Sequence, residues 1–350
     1  MILIRYSVEI DNEVIKQIKI TPLLDTLKLE NISDDEYFSE KYSNYISNSR
    51  LGKLIKDGAE AFFKGFIDDG SYSSSFAFGT MLHELFLQPE SFELIDSVFK
   101  PTAKAGIVAD YLYKNDGSPI NDDDIKVASI KCNYYKDKLT TNRLNEFKLK
   151  AEPYWRDRFL FEQKNPPSDK TRIYTDEKSV GLLKSCLDSI NNNSDIQKLM
   201  HPEGITEEVY SANERTILLD VEIKIPDYDA KVFKLKSKLD NFTIDKEDNA
   251  ITVNDLKTTS KLAREFDPQF FHYQRELGMY SMLLRYCSEK FFGIKNPTVK
   301  GNFLVVSTIP DFNSLVYPMT KQLFKSGISE FMYLLKTVAY LNIVKGYEFQ

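Results

Sequence analysis

The hydrophobic pattern of this chain changes near residue 205 from a helical period to a strand-like one, and this change constrains the fold more than any other feature. Beyond it, Val, Ile, Thr and Phe are frequent and partly alternate with polar residues, as in strands with one buried face. The segments with this pattern are TEEVYSANE, TILLDVEIKI, KVFKLKSKLDNFTID and AITVNDLKTT. Because turn-forming residues separate them in PDYDA and KEDN, the sequence predicts an antiparallel meander.

Helical patterns precede and follow these strands. Ser47 or Asn48 is the expected N-cap of an amphipathic helix, and Pro89 is expected to stop a second one. Further helices are predicted at 125–165, as a pair within 176–200, over PQFFHYQRELGMYSMLLRYCSEKF and from Lys321 to Val344, and VKGNFLVVST is predicted as an apolar strand. The expected fold class is therefore α+β, with a central mixed or antiparallel sheet flanked by helices.

A simple domain organisation is expected for a chain of 350 residues, which is long enough to bury a large core. Residues 1–45 predict a strand followed by a polar, acidic segment. Residues 46–350 predict a single domain with an insert at about 100–200, which begins as a loop-rich stretch around NDGSPINDDD and continues as helix.

Composition excludes several classes of protein. The three cysteines are far apart, which argues against a disulfide framework, a cysteine zinc site and an iron–sulfur cluster. No apolar run reaches the ~18 residues needed to span a membrane, and the start of the chain does not resemble a signal peptide, so a cytoplasmic location is expected. The net charge of −6 argues mildly against nucleic acid as a partner, although a local basic groove can exist on an acidic protein.

The segment NDLKTT carries the clearest chemical signal. Asp255 and Lys257 are two residues apart and project from the same face of a strand, with Leu256 directed into the core behind them. The KEDN turn folds Asp240, on the preceding strand, back towards Asp255. Two carboxylates beside a lysine supply the hard oxygen ligands that Mg²⁺ takes, and such a site activates water against a phosphate. The alternative is a solvated strand edge.

Three stretches in a fixed order resemble the PD-(D/E)xK nuclease superfamily, and more specifically its RecE and RecB-type exonuclease branch. The first is ISNSRLGKLI followed by FAFGTMLHELFLQPESF, which is similar to the opening helix and Gly-Thr-x-x-His motif of that branch. KSKLDNFTI with ITVNDLKTT resembles its catalytic strands, and HYQRELGMYSMLL resembles the helix that follows them. The resemblance covers about 46–95 and 205–290 and implies a restriction-endonuclease-like core.

The resemblance implies a role for each matching residue. Asp240 and Asp255 match the two metal-binding carboxylates, and Lys257 matches the catalytic lysine. His83 matches a histidine that contributes a metal ligand, and the backbone carbonyl of Leu256 is a further expected ligand. The implied cofactor is Mg²⁺, with Mn²⁺ as an alternative.

The third stretch departs from the pattern of the branch. If Tyr280 is its tyrosine, Glu276 stands where the branch has a glutamine, and Gln274 lies two residues away. Glu276 and Tyr280 are four residues apart and share a helix face. Two hypotheses are open: Glu276 joins the metal or lysine network of a catalytic site, or Gln274 replaces the usual glutamine from a neighbouring face.

Other charged residues are candidates for secondary roles. Glu207 or Glu208 is either an extra acid of the site or part of a solvated edge. Lys234, Lys236 and Lys238 alternate along one strand and share a face, which is either a track for DNA phosphates or a solvated surface.

The function implied by the resemblance is that of a Mg²⁺-dependent DNA exonuclease acting on duplex ends in phage or prophage recombination or DNA processing. The implied partners are sequence-tolerant DNA contacts, a single-strand annealing protein and further copies of the chain, in the cytoplasm of a bacterial or phage-infected cell. Two alternatives are open: an endonuclease or end-processing nuclease of the same fold, and a catalytically inactive DNA-binding or virion-associated relative.

Overall fold

The computed structural model describes residues 10–64, 73–114, 116–134, 139–202 and 208–349. Its α-helices are α1 (Asn12–Gln17), α2 (Asp34–Tyr37), α3 (Asn48–Asp57), α4 (Ala59–Phe63), α5 (Ser74–Leu87), α6 (Ala103–Leu112), α7 (Asp122–Lys131), α8 (Thr141–Lys164), α9 (Glu177–Asn191), α10 (Ser194–Met200), α11 (Tyr273–Phe292) and α12 (Lys321–Ile343). Its strands are β1 (Lys19–Glu30), β2 (Phe92–Phe99), β3 (Thr171–Thr175), β4 (Val209–Lys224), β5 (Lys231–Asp245), β6 (Ala250–Thr259), β7 (Thr298–Ser307) and β8 (Ser314–Pro318). Among the helices of these ranges, none is long and apolar enough to cross a membrane.

The chain divides into two compact units. The first comprises Met1–Ile67 and Asn192–Gln350, and the second comprises Asp68–Asn191. The expected organisation, with an N-terminal segment at 1–45 and a single domain at 46–350, stays a prediction from the sequence.

A six-stranded mixed sheet in the order β1-β4-β5-β6-β7-β8 forms the centre of the first unit. The meander predicted after residue 205 is confirmed, since β4, β5 and β6 are consecutive antiparallel neighbours. β7 then pairs parallel with β6, and α11 connects the two strands. The α+β class with a mixed sheet flanked by helices is thus confirmed.

The helices α11 and α12 pack against each other beside the sheet, and their backbones touch at two glycines. A Cβ on Gly327 would lie 1.9 Å from the carbonyl oxygen of Gln274, and a Cβ on Gly278 would lie 2.6 Å from the carbonyl carbon of Gly327. Glu330 of α12 adds a buried polar link, because it accepts hydrogen bonds from Arg275 Nη1 (3.0 Å) and Gln274 Nε2 (2.9 Å). These contacts fix the position of α11 against the sheet.

The start of the chain differs from its prediction. Residues 1–9 lie outside the described ranges, and the next residues form α1 because the Asp11 carboxylate accepts hydrogen bonds from the amides of Glu13 and Val14. The strand of this region is β1, which pairs antiparallel with β4. The polar segment after it packs on the lysine-bearing face of β5, where Lys236 Nζ donates to the carbonyl oxygen of Tyr37 at 2.6 Å.

The second unit combines a parallel pair, β2 and β3, with helices α5 to α9. The predicted helix before Pro89 is confirmed as α5, and the pair predicted within 176–200 is confirmed as α9 and α10, of which α10 belongs to the first unit. The prediction of a loop-rich stretch at 100–125 is wrong over Ala103–Leu112, which form α6, whereas the described residues between α6 and α7 do form a loop. α6 forms there because Ala105, Val108, Ala109 and Leu112 recur at helical spacing and are all buried.

Candidate active site

Asp240 and Asp255 stand at a fork between two strands of the first unit. The pairing of β5 with β6 ends at Asn241 and Asn254. Asp240, before Asn241 on β5, and Asp255, after Asn254 on β6, therefore lie just beyond the last backbone pair. Asp240 Oδ2 accepts a hydrogen bond from the Leu256 amide at 2.7 Å, in the place where a neighbouring carbonyl would otherwise bind. This bond holds the Asp240 carboxylate to the backbone of β6 directly after Asp255, as the KEDN turn led us to expect.

A connected set of polar side chains extends from this fork to α11. Lys257 Nζ lies 2.7 Å from Asp255 Oδ2 and donates to Glu276 Oε2 at 3.0 Å. Tyr280, one turn further along α11, donates its hydroxyl to Glu276 Oε1 at 2.9 Å. The structure therefore brings together five residues singled out from the sequence: Asp240, Asp255, Lys257, Glu276 and Tyr280.

The two hypotheses about the third stretch can now be compared by position. The Gln274 side chain is buried and bonds to Glu330 of α12, whereas Glu276 faces Lys257. The geometry favours Glu276 as a member of the lysine network. Tyr273, which opens α11, adds its ring 4.9 Å from Lys257 Nζ, a contact that sequence reasoning missed.

Burial dominates the electrostatics of this cluster. It raises the pKa of Asp255 well above its usual value and the pKa of Asp240 to about 6, against the opposing effect of Lys257. Burial alone would lower the pKa of Lys257 and raise that of Glu276. Their mutual attraction, with further carboxylates around the lysine, instead raises the pKa of Lys257 and lowers that of Glu276. The cluster therefore holds more buried carboxylates than its one ammonium can balance.

Glu214 is a fourth carboxylate at the fork that the sequence analysis did not single out. A carboxylate oxygen of Glu214 lies within 4.8 Å of one from Asp240. Its neighbours pair with β5 on either side, but Glu214 itself has a φ of 52°, a left-handed conformation that costs about 1–3 kcal/mol in a non-glycine residue. Counting residues back along both strands from the PDYDA turn places Glu214 opposite Asp240. This count is the sequence signal from which Glu214 could have been found.

The lysines of β5 do not form the surface that either hypothesis described. Lys238 Nζ lies 3.0 Å from Glu214 Oε2. It also donates a hydrogen bond to the carboxylate of Asp34, the first residue of α2. Lys236 is buried against Tyr37, and its burial lowers its pKa to about 8. Because α2 and the turn after it cover this face, Lys234 is the one of these three predicted lysines that remains exposed to solvent.

A chain of asparagine hydrogen bonds fixes the register on the opposite face of the sheet. The bonds join Asn241 Nδ2 to Asn213 Oδ1 (2.7 Å), Asn254 Nδ2 to Asn241 Oδ1 (2.7 Å) and Asn302 Nδ2 to Asn254 Oδ1 (2.9 Å). Asn241 and Asn254 are 1% exposed and directly follow or precede the two aspartates in sequence. A slip of one residue would break these buried bonds and separate the carboxylates, so the asparagines specify the fork.

The remaining predicted residues lie elsewhere. His83 lies on α5 in the second unit and is half-buried, and its role as a metal ligand stays a prediction from the sequence. Leu256 has a fully buried side chain, as expected, and the role of its carbonyl also stays a prediction. Glu207 lies outside the described residues. Glu208 is next to the start of β4, where it pairs with Lys246 (3.7 Å) directly after the end of β5.

The donor atoms at the fork fit a hard divalent cation. Asp255 Oδ2 is buried, and its contact with Lys257 lacks hydrogen-bond geometry, so this oxygen has no hydrogen-bond donor among the described residues. Asp240 and Glu214, at the same fork, bring carboxylate oxygens within 4.8 Å of each other. Mg²⁺ and Mn²⁺ prefer such oxygen ligands, and a cation there would offset the excess negative charge. The described residues of the first unit can therefore hold a metal of this class.

Comparisons with known proteins add little to this picture. No family model matches the chain, and no curated protein matches it. A crystal structure of a "Putative exonuclease" from Eubacterium rectale aligns over 91% of this chain and 88% of its own, with 12% sequence identity and a TM-score of 0.37. A TM-score at that level does not establish a shared fold, so the proposal below rests on the residues of the site and on the sequence motifs.

Proposed function

We propose that this chain is a metal-dependent deoxyribonuclease that hydrolyses phosphodiester bonds from the ends of duplex DNA. The observation that carries the proposal is the fork of Asp240 and the fully buried Asp255, with Lys257 beside them. A structural ion pair would not need three carboxylates around one ammonium, and burying unbalanced charge is costly unless a function requires it. The order of the three sequence motifs, one of which contains these residues, supports the same assignment.

Asp240 and Asp255 would hold Mg²⁺, with Mn²⁺ as a substitute, and Glu214 adds a carboxylate nearby. The bound ion would polarise the phosphate and favour ionisation of water at neutral pH. His83 and the carbonyl of Leu256 are further ligands in this proposal, on the strength of the motif alone. Hydrolysis joins the water oxygen to phosphorus and releases the leaving oxygen with a proton.

Lys257 would orient the attacking water or stabilise the charge that builds up on the phosphate. Its ammonium is held in place from two sides, by Asp255 on its own strand and by Glu276 on α11. The Tyr280 hydroxyl in turn holds the other oxygen of Glu276. Glu276 and Tyr280 are therefore positioning residues for Lys257, and the raised pKa of the lysine keeps it a cation at neutral pH.

The test compares the wild-type protein with Asp255→Ala and Lys257→Ala on linear duplex DNA, in Mg²⁺ and in EDTA. The wild-type protein should degrade the DNA in Mg²⁺ only, and both variants should be inactive while remaining folded. Lys234→Ala, an exposed lysine on β5, is the matched control and should retain activity. Full activity of Asp255→Ala would refute the site assignment.

Substrate form separates this proposal from its nearest alternative. An exonuclease needs an end, so covalently closed circular DNA should resist degradation under conditions that consume linear DNA. Cutting of closed circles would instead indicate an endonuclease with the same centre. The association with an annealing protein and the homo-oligomer are parts of the proposal that rest on the motif resemblance, and sedimentation of the pure protein tests the second.

A further inference from the structure

Two adjacent phenylalanines project into solvent next to the candidate active site. Phe270 is 71% exposed and Phe271 is 62% exposed, and their ring centroids are 4.6 Å apart in an edge-to-face arrangement. Single exposed apolar residues are common and need no explanation. Two neighbouring aromatic rings held open to solvent in one turn are costly to maintain and call for a ligand that covers them.

Backbone hydrogen bonds close the turn that carries these rings. The amide of Phe270 donates to the carbonyl of Asp267 (3.3 Å), and the amide of His272 donates to that of Gln269 (3.2 Å). The Tyr273 amide donates to the carbonyl of Pro268 (2.9 Å). His272 closes the turn with a φ of 59°, in the left-handed region. The backbone of the turn is therefore ordered by its own hydrogen bonds, which lowers the entropic cost of presenting the rings to a ligand.

A series of ring contacts connects the pair to the lysine of the fork. Phe271 lies 5.5 Å from the ring of Tyr273, which lies 4.9 Å from Lys257 Nζ. Phe266 stacks on the other side of Tyr273 at 5.8 Å, with the two planes inclined by 10°, and so supports that ring. Two contacts, from Phe271 to Tyr273 and from Tyr273 to Lys257, therefore connect the exposed rings to the lysine of the fork. A strand of a few nucleotides can cover this distance.

The chemistry around the pair favours nucleic acid over an apolar protein surface. Lys261 Nζ lies 6.0 Å from the centroid of Phe270, and Lys261 is exposed. An aromatic face beside an exposed lysine matches a nucleotide. Every base has a π-face that can stack on the ring, and every phosphodiester carries a negative charge that attracts the ammonium. Stacking of this kind tolerates any sequence.

We propose that Phe270 and Phe271 form a stacking platform for unpaired nucleobases, which holds the strand whose backbone enters the fork. This inference rests on the proposed function and adds its substrate form, a single-stranded or frayed end. The platform would bind the bases that flank the scissile linkage, and Lys261 would contact a neighbouring phosphate. Neither phenylalanine would touch the reacting atoms.

Binding of a single-stranded oligonucleotide that contains 2-aminopurine tests the platform. The measurement is made in EDTA, which withholds the divalent cation that hydrolysis requires under the proposed function. Stacking quenches the fluorescence of 2-aminopurine, so the wild-type protein should bind and quench it. The double variant Phe270→Ala/Phe271→Ala should bind about 30-fold more weakly or worse, because it loses two base–aromatic stacks of about 1–3 kcal/mol each, and it should lose the quenching.

Two further double variants separate stacking from simple apolar contact. Phe270→Tyr/Phe271→Tyr retains the rings and should bind and quench like the wild-type protein. Phe270→Leu/Phe271→Leu retains apolar area without π-faces and should behave like the alanine variant. Phe291→Ala is the matched control, since Phe291 is an exposed phenylalanine at the opposite end of α11, and it should change nothing.

Unchanged binding by the alanine variant would overturn the inference, and so would wild-type behaviour of the leucine variant, which would point to an apolar partner instead. Cleavage of linear DNA distinguishes this failure from failure of the proposed function. A wild-type protein that does not cleave DNA refutes the proposed function. A wild-type protein that cleaves, together with an alanine variant that matches it in binding and in KM, refutes the platform alone.

Discussion

Replacing Asp240 by asparagine should stabilise the protein in the absence of metal while abolishing its activity. The folded protein holds the pKa of Asp240 at about 6, against an ordinary value of 3.8, mainly because the carboxylate is buried. Asparagine has a similar shape, carries no charge at any pH, and can still accept the hydrogen bond from the Leu256 amide. It therefore removes the cost of a buried charge and leaves the fork intact.

The size and pH dependence of this effect follow from proton linkage. Because the pKa of Asp240 is higher in the folded than in the unfolded state, the folded protein binds more protons between about pH 4 and pH 6. Its stability therefore falls as the pH rises through that window, and the loss is complete above it. A difference of about 2 pKa units corresponds to about 3 kcal/mol, which is the gain expected for Asp240→Asn at pH 7.5 relative to pH 4.

The assay must report on the first unit alone. Trp155, the single tryptophan, lies in the second unit, so its fluorescence is unsuitable. Cys287 on α11 is fully buried in the first unit, and Cys186 on α9 is fully buried in the second. A brief pulse of a thiol reagent after equilibration in urea and EDTA, read by peptide mass spectrometry, gives an unfolding midpoint for each unit.

Asp240→Asn should raise the Cys287 midpoint at pH 7.5 but not at pH 4, and the Cys186 midpoint should not move at either pH. Saturating Mg²⁺ should stabilise the wild-type protein and not the variant, since a ligand of the folded state raises its stability by mass action. If the variant is equally or less stable than the wild-type protein at both pH values, burial does not control this carboxylate and the reasoning fails.

Four more predictions concern the cluster and its supports. Glu276→Gln retains the bond from Tyr280 but removes a negative partner of Lys257, so kcat should fall about 10–100-fold in single-turnover cleavage while calorimetry still detects metal binding. Gly327→Ala places a Cβ 1.9 Å from the Gln274 carbonyl oxygen and should destabilise the first unit by about 1–3 kcal/mol. The control is Gly181→Ala on α9, which has no described atom within 4 Å of its Cβ and should be neutral or stabilising. Equal changes in the free energy of unfolding for the two variants would contradict the packing argument. Asn254→Ala leaves the buried amides of Asn241 and Asn302 without their partner and should cost about 1–3 kcal/mol in urea unfolding, whereas a neutral result would show that the asparagine chain does not fix the register. The apparent affinity for Mg²⁺, measured by calorimetry, should rise as the pH increases through about 6, because the raised pKa of Asp240 makes protons compete with the ion; an affinity independent of pH from 5 to 8 would exclude Asp240 as a ligand.

Local patterns in the sequence were sufficient for most of the elements that build the fork. The meander followed from alternating residues and two turn sequences, and the start of α3 followed from Ser47, whose hydroxyl accepts from the Arg50 amide as an N-cap. The strands β1, β2, β3 and β8 were missed. β1 contains Pro22 and has only one buried residue, β2 has only two, and β3 and β8 have five residues each. Their strand conformation depends on neighbours that are distant in sequence.

The site was predictable where two residues share one strand or one helix. Asp255 with Lys257 and Glu276 with Tyr280 needed only the spacing of side chains along an element. Glu214 was not found, because its position depends on the register between β4 and β5. The covering of Lys236 and Lys238 by α2 was missed for the same reason, since that contact joins segments about 200 residues apart.

The location of a bound metal ion tests the central claim most directly. Mn²⁺ scatters X-rays anomalously, so crystals of the wild-type protein grown or soaked with it would show the ion as an anomalous difference peak. We predict a peak in contact with the carboxylates of both Asp240 and Asp255, and its absence in Asp255→Ala crystals treated in the same way. An empty fork in the wild-type protein at saturating Mn²⁺, or an ion bound only elsewhere, would contradict the account.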